Sequence, residues 1–131
     1  MIGLDTNVLL RYFLNDDSDQ SPKARTVINS LSPSNPGWIG VPTVLELVWV
    51  MKSKNRVPRN VIAATIEQLL SKDVVMIERD AIVAQAVLKF RFSGADFADC
   101  LIAALASAAG CSKTVTFDEI AARDAGMELI S

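Results

Sequence analysis

Short apolar runs alternate with helical stretches along the whole chain, and this alternation restricts the fold more than any other feature. The runs at residues 2–4, 38–41, 74–77 and 114–117 have the length of buried strands, and residues 127–130 form a candidate edge strand. Strands separated by helices form βαβ units, in which the strands run parallel. The pattern therefore predicts an α/β domain whose mostly parallel sheet is covered by helices on both faces.

The helical stretches start and stop at residues that suit helix ends. Pro22, Pro42 and Pro58 each stand near the first position of a helix, where proline is favoured, and Gly110 suits the position after a helix end. Helices are predicted over residues 7–14, 21–31, 42–53, 58–71, 80–92, 96–109 and 118–124. With 131 residues and no internal repeat, the chain is predicted to form a single domain over residues 1–131.

Composition excludes several classes of protein. Half of the residues are apolar, which argues against disorder, and the formal net charge of −2 gives no general attraction to nucleic acid or anionic membranes. Cys100 and Cys111 fit neither a zinc site nor a disulfide framework, so a reducing cytosol is expected. The longest uncharged stretch, residues 26–45, contains three prolines and is not a membrane helix, and the start of the chain lacks the features of a signal peptide.

The chain contains no histidine. This absence removes Ser-His and Cys-His nucleophiles, histidine acid–base catalysis and every histidine metal site. Among the groups that remain, a cluster of carboxylates holding a hard divalent cation best fits the rest of the sequence.

Two acids follow predicted strands directly. Asp5 follows the first strand and opens into a helix with Thr6 and Asn7, and Asp118 follows the fourth strand in the same way. Ligand-binding groups in open α/β sheets stand at the carboxyl ends of strands. The alternative for both acids is a helix cap, since Asp is a preferred N-cap residue.

Three further acids lie on predicted helices. Glu46 stands in a helix that is apolar nearly all round and is expected to be largely buried, where a lone Glu needs a partner or a metal. The alternative is an outward-pointing Glu or a partner for a nearby Lys. Asp96 and Asp99 share one face of a helix's first turn, Asp96 as a good N-cap and Asp99 before an Ala-rich helix.

Together, two acids at strand ends and two on buried helices predict one convergent acidic pocket. Carboxylates that lie close together repel one another unless a cation neutralises them. Mg²⁺ or Mn²⁺, which take oxygen ligands and several waters, are the expected ions.

These residues resemble the four acidic motifs of the PIN domain, and their order and spacing are most similar to the VapC toxins of toxin–antitoxin pairs. The resemblance covers essentially the whole chain and rests on Leu4-Asp5-Thr6-Asn7-Val8-Leu9, Glu46, Asp99-Cys100-Leu101-Ile102-Ala103-Ala104 and Thr116-Phe117-Asp118. It implies a three-layer α/β/α domain, a Mg²⁺- or Mn²⁺-dependent endoribonuclease, a homodimer in the cytoplasm, and a cognate VapB-like antitoxin that occludes the site.

The resemblance also assigns roles to residues. Asp5, Glu46 and Asp99 match the three core acids, and Asp118 matches the more variable fourth. Among the secondary residues, Asp96 is an extra acid that caps its helix or binds a second ion. Thr6 and Asn7 match positions that orient the first Asp, and Thr116 is expected to do the same for Asp118.

RNA needs a local positive patch on this weakly acidic chain. Lys52, Lys54, Arg56 and Arg59 follow the Glu46 helix within eight residues, and Arg11 lies one turn after Asn7. The cluster after the Glu46 helix is expected to lie away from the acidic pocket unless the helical hairpin folds back. Its alternative is a solvated helix terminus, where cations are favoured by the helix dipole.

Other classes of function compete with the nuclease. A catalytically silent PIN-like module would bind RNA or a partner protein without cleaving it. A phospho-receiver would need an acid next to its phosphorylated Asp, and Asp5 has none. A phosphotransferase of the haloacid dehalogenase type would need a second Asp at the position of Asn7.

Overall fold

The computed structural model describes residues 1–131, with seven helices and five strands. In chain order they are β1 (Ile2–Gly3), α1 (Thr6–Leu14), α2 (Gln20–Asn29), β2 (Gly37–Ile39), α3 (Val41–Ser53), α4 (Arg59–Ser71), β3 (Val75–Ile77), α5 (Asp80–Phe92), α6 (Phe97–Ala108), β4 (Val115–Thr116), α7 (Glu119–Asp124) and β5 (Glu128–Leu129). Every predicted element is present, with ends that differ from the prediction by at most two residues. No helix is both long enough and apolar enough to cross a membrane.

The chain divides into two compact units, Met1–Asp80 and Ala81–Ser131. In the first unit, β1, β2 and β3 form a parallel sheet in that order. Parallel strands in sequential order, joined by right-handed crossovers, bring both helical connections to one face of the sheet. Contacts of α1 with α3 and of α4 with β3 agree with this arrangement. The predicted parallel strands are thus confirmed, whereas the single domain over 1–131 stays a prediction.

Alternation along the strands separates a buried face from a more open one. Ile39 and Ile77 are buried, while their neighbours Trp38 and Met76 are 39% and 52% exposed. Gly37 shows how tightly the buried face packs, since a Cβ atom there would lie 2.7 Å from Leu4 Cδ1. The core of this unit therefore lies between the sheet and the helices.

Helix α3 does not match the expectation of burial on all sides. Val44, Leu47, Val48 and Met51 are fully buried, but Trp49 is 57% exposed and Glu46 is exposed. The fully buried residues of the helix form one stripe, with spacings of three and four residues. The prediction of a largely buried Glu46 is therefore wrong, and its outward-pointing alternative is correct.

The second unit contains α5, α6 and a two-stranded parallel sheet of β4 and β5 joined through α7. Phe90 of α5 meets Phe97 of α6 edge to face, with ring centroids 5.8 Å apart. Gly110, with φ of +97°, follows the end of α6 in the left-handed conformation that favours glycine. The predicted stop signal at Gly110 and the predicted edge strand are both confirmed.

Candidate functional site

Asp5 stands between β1 and α1, at the carboxyl end of the strand. It occupies the N-cap position of α1, yet its side chain makes no capping hydrogen bond. Only its backbone carbonyl takes part in the first turn, accepting from the N–H groups of Val8 at 3.1 Å and Leu9 at 3.4 Å. The carboxylate is exposed and is not used by the helix that it precedes.

Glu46 lines a cleft of about 510 Å³ in the first unit. The cleft is lined by α1, by α3 and by the turn after α3, through Thr6, Asn7, Leu10, Arg11, Leu14, Glu46, Trp49, Val50, Lys54 and Asn55. The Glu46 carboxylate makes no ion pair with Lys54, whose ammonium instead lies 5.7 Å from the centre of the Trp49 ring. The alternative of Glu46 as a lysine partner is therefore not what the structure shows.

Thr6 carries the one buried side-chain polar atom that has no hydrogen-bond partner. Its residue is 3% exposed, and Oγ1 neither donates nor accepts a hydrogen bond. An unsatisfied buried hydroxyl costs free energy, and such atoms in folded proteins usually indicate a ligand, an ion or a water. Thr6 follows Asp5 in the chain and lines the cleft that contains Glu46. Neither Thr6 nor Asn7 makes a hydrogen bond to the Asp5 carboxylate.

Asp99 lies in the first turn of α6 and is half-buried. Burial raises the pKa of its carboxyl, and the negative charges of Asp96 and Asp118 raise it further. Asp96 and Asp118 are therefore close enough to Asp99 for their charges to repel its carboxylate. A cation held among them would offset this repulsion.

Asp118 caps α7. Its Oδ1 accepts from the backbone N–H groups of Ile120 at 2.8 Å and Ala121 at 3.0 Å, so the cap alternative is correct for this residue. Thr116 Oγ1 accepts from the Asp118 N–H at 3.0 Å, which fixes the backbone of Asp118 as expected. Because both capping bonds use Oδ1, the other carboxylate oxygen, Oδ2, remains available to a further partner.

Asp96 also occupies an N-cap position, that of α6, but its side chain makes no capping hydrogen bond. Its negative charge instead acts on Asp99. Asp5 and Glu46 thus lie in the first unit, and Asp99 and Asp118 lie in the second. No three acidic or sulfur ligands gather closely enough to define a metal position. The convergence of Asp5, Glu46, Asp99 and Asp118 stays a prediction.

The predicted cations fall into two groups. Arg11 lines the cleft and is held by Gln20 Oε1, which accepts from Nε at 2.8 Å, and by Asp16 Oδ1, 3.2 Å from its guanidinium. Lys54 lines the same cleft as Glu46, whereas the position of its cluster relative to the predicted acidic pocket stays a prediction. Lys52 and Arg56 are exposed and are not among the residues that line the cleft.

Sequence reasoning missed Trp49 as a residue of the cleft. The signal was its spacing, since residues three apart in a helix share a face and Trp49 follows Glu46 by three. The apolar surroundings of Glu46 in the sequence made Trp49 look like a core residue.

The donor set fits a hard divalent cation, because all the candidate ligands are carboxylate or hydroxyl oxygens. Comparison with protein families finds a match to the PIN domain over residues 2–126, which includes every candidate acid. The match confirms the predicted PIN-like α/β fold class, and PIN domains are generally nucleases that use divalent metals. Comparison with curated proteins finds no significant match.

Proposed function

The chain belongs to the PIN domain family, and on this basis we propose that it is a Mg²⁺- or Mn²⁺-dependent endoribonuclease. The proposal includes its biological role as a VapC-like toxin in the cytoplasm, inhibited by a small VapB-like antitoxin. The order and spacing of the four acids support the toxin assignment, because they are most similar to those of VapC toxins.

The observation that carries the nuclease proposal is that Asp5 and Asp99, unlike Asp118, do little for the fold. Asp5 occupies an N-cap position without capping, and Asp99 is destabilised by burial and by two neighbouring acids. Acids without a structural partner support a site built for a cation, and so does the buried and unpaired hydroxyl of Thr6, which follows Asp5 in the chain.

Asp5, Glu46, Asp99 and Asp118 are the residues that we propose would hold the ion, and Asp96 is a secondary candidate. When bound, such an ion would supply Lewis-acid chemistry for hydrolysis of a phosphodiester bond. Because Oδ1 of Asp118 accepts two hydrogen bonds from the α7 backbone, Oδ2 is the oxygen that would face the ion. Arg11, Lys52, Lys54 and Arg56 neutralise phosphate charge on the RNA, which fixes its position without selecting its sequence.

Cleavage of RNA tests the nuclease proposal directly. Purified protein is incubated with structured RNA in Mg²⁺, Mn²⁺ or EDTA, and cleavage is expected only with the metals. Asp99→Asn should reduce cleavage by at least about 100-fold, as expected when a group that holds a catalytic charge is removed. Asp73→Asn, which neutralises an exposed acid outside the candidate site, should cleave like the wild type. Undiminished cleavage in EDTA, or by Asp99→Asn, would contradict the metal mechanism.

The homodimer and the antitoxin are proposed for the same protein. Val61 on α4 remains 45% exposed, which supports coverage of the α3–α4 hairpin by another chain. Light scattering at micromolar concentration should give twice the chain mass of 14.2 kDa. Co-expression with the product of an adjacent small reading frame should abolish cleavage. Full activity in the purified co-complex would contradict the antitoxin proposal.

A catalytically silent PIN-like module is the alternative. It predicts that RNA binds with or without metal and is recovered intact. The same incubation therefore separates the two functions.

A further inference from the structure

Trp49 is an exposed aromatic side chain that the fold does not use. Its indole is 57% exposed, whereas the apolar positions of α3 that pack the core are fully buried. It lies one helical turn after Glu46 and lines the same cleft. We call this space the Trp49 cleft.

Positive charge accompanies the ring. The Lys54 ammonium lies 5.7 Å from the centre of the indole, within the range of a cation–π interaction. The Arg11 guanidinium lines the same cleft and is held in position by Asp16 and Gln20. Proteins that bind single-stranded nucleic acids combine aromatic rings, on which bases stack, with cations that follow the phosphates.

We propose that the Trp49 cleft holds one nucleotide of an RNA strand, with its base stacked on the indole and its phosphate at Lys54. The proposal deepens the nuclease function and rests on it for the choice of RNA as the ligand. A volume of about 510 Å³ is large enough for a nucleotide, because small-ligand pockets range from about 300 to 1,000 Å³. The Asn7 and Asn55 amides supply donors and acceptors for the edge of a base.

The charges in the cleft favour a nucleotide over a protein partner. The centres of protein interfaces are depleted of Lys and Glu. Here the indole shares its cleft with Glu46, Lys54 and Arg11. Such a setting suits a ligand that carries both a flat aromatic ring and a negative charge.

Binding measured without cleavage tests the proposal. Short single-stranded RNA is titrated into the protein in EDTA at low salt, and the fluorescence of Trp49 is followed in a Trp38→Phe background. The base should quench Trp49, and Trp49→Ala, followed by anisotropy of labelled RNA, should weaken binding by about 5-fold to 100-fold, as for other stacking residues. Trp49→Phe should retain most of the affinity. Phe92→Ala, which removes an exposed ring from α5 of the other unit, should bind like the wild type.

An abasic nucleotide placed at each position of the RNA in turn identifies the stacked base. At one position the abasic nucleotide should weaken RNA binding by the wild type. At that position it should not weaken RNA binding by Trp49→Ala, which already lacks the stacking ring. Unchanged binding by Trp49→Ala, or equal losses for both proteins at every position, would overturn the proposal. A Trp49→Ala variant that binds RNA normally but no longer self-associates would assign Trp49 to a protein interface instead.

The outcome separates this proposal from the nuclease function, because cleavage is assayed independently with Mn²⁺. Binding that depends on Trp49 without cleavage would refute the nuclease and support the nucleotide cleft. Cleavage with binding that does not depend on Trp49 would refute the cleft and leave the nuclease intact.

Discussion

Neutralising Asp99 is expected to stabilise the metal-free protein, although most substitutions at partly buried positions destabilise. Burial and the charges of Asp96 and Asp118 all disfavour the ionised Asp99 carboxylate. Exposed charge pairs interact by about 0.2–1 kcal/mol. Two such repulsions, with partial burial, give Asp99→Asn a gain of about 1 kcal/mol in the free energy of unfolding.

The gain converts to a measurable melting shift. For 131 residues the unfolding entropy is about 0.28 kcal/mol/K, so about 1 kcal/mol raises Tm by about 4 °C. A bound ion at about 100 times its Kd adds about 2.7 kcal/mol, or about 10 °C. Scanning calorimetry in EDTA should therefore give a higher Tm for Asp99→Asn than for the wild type. Adding millimolar Mn²⁺ should raise the Tm of the wild type far more than that of Asp99→Asn.

The pH dependence of this difference follows from the sign of the pKa shift. Because the folded-state pKa of Asp99 is raised, folding favours its protonated form, and that contribution is lost as the pH rises through the folded-state pKa. The stability advantage of Asp99→Asn should therefore be present at neutral pH and vanish below the ordinary Asp pKa of 3.8. The Asp73→Asn control should show neither the gain nor a reduced Mn²⁺ response. If Asp99→Asn melts below the wild type in EDTA, or if Mn²⁺ leaves the wild type unchanged, the argument from repulsion is refuted.

Two further substitutions test the structure around the site and the sheet. Asp118→Ala removes the α7 cap and should lower the free energy of unfolding by about 0.5–2 kcal/mol relative to Asp118→Asn, which keeps the cap. Both variants lose the charge that repels Asp99 and should respond less to Mn²⁺, so equal urea midpoints for the two in EDTA would contradict the capping role. Gly37→Ala places a Cβ atom 2.7 Å from Leu4 Cδ1 and should cost about 1–3 kcal/mol by overpacking, measured by urea unfolding, and an unchanged midpoint would show that Leu4 moves aside freely.

The sequence predicted the elements well because their signals are local. Turn residues mark the helix ends, and short apolar runs mark the strands that form β1 to β5. The same local signals could not distinguish Asp5, Asp96 and Asp118, which all precede helices. Only Asp118 caps its helix, with a backbone ψ of 118°, compared with 158° at Asp5 and 144° at Asp96. Whether an Asp caps its helix depends on its side-chain and backbone torsions, which cannot be inferred from the residue type.

The burial of α3 was misjudged for a different physical reason. Its sequence is apolar on nearly every side, so the hydrophobic periodicity does not indicate whether Glu46 and Trp49 face the core or the solvent. Burial depends on what packs against each side of a helix, and in this unit only one stripe of α3 meets the core. The position of Lys54 beside Glu46 likewise depends on the turn after α3, whose path the sequence does not specify.

The connection between β1 and α1 consists of only Leu4 and Asp5. Each residue of an α-helix advances the chain by about 100° around the axis. One amino acid inserted here would therefore turn Thr6, Asn7 and Arg11 away from the cleft together, while the sheet itself stayed paired. The number of residues at this junction is therefore as important for the cleft as the identity of the residues that line it.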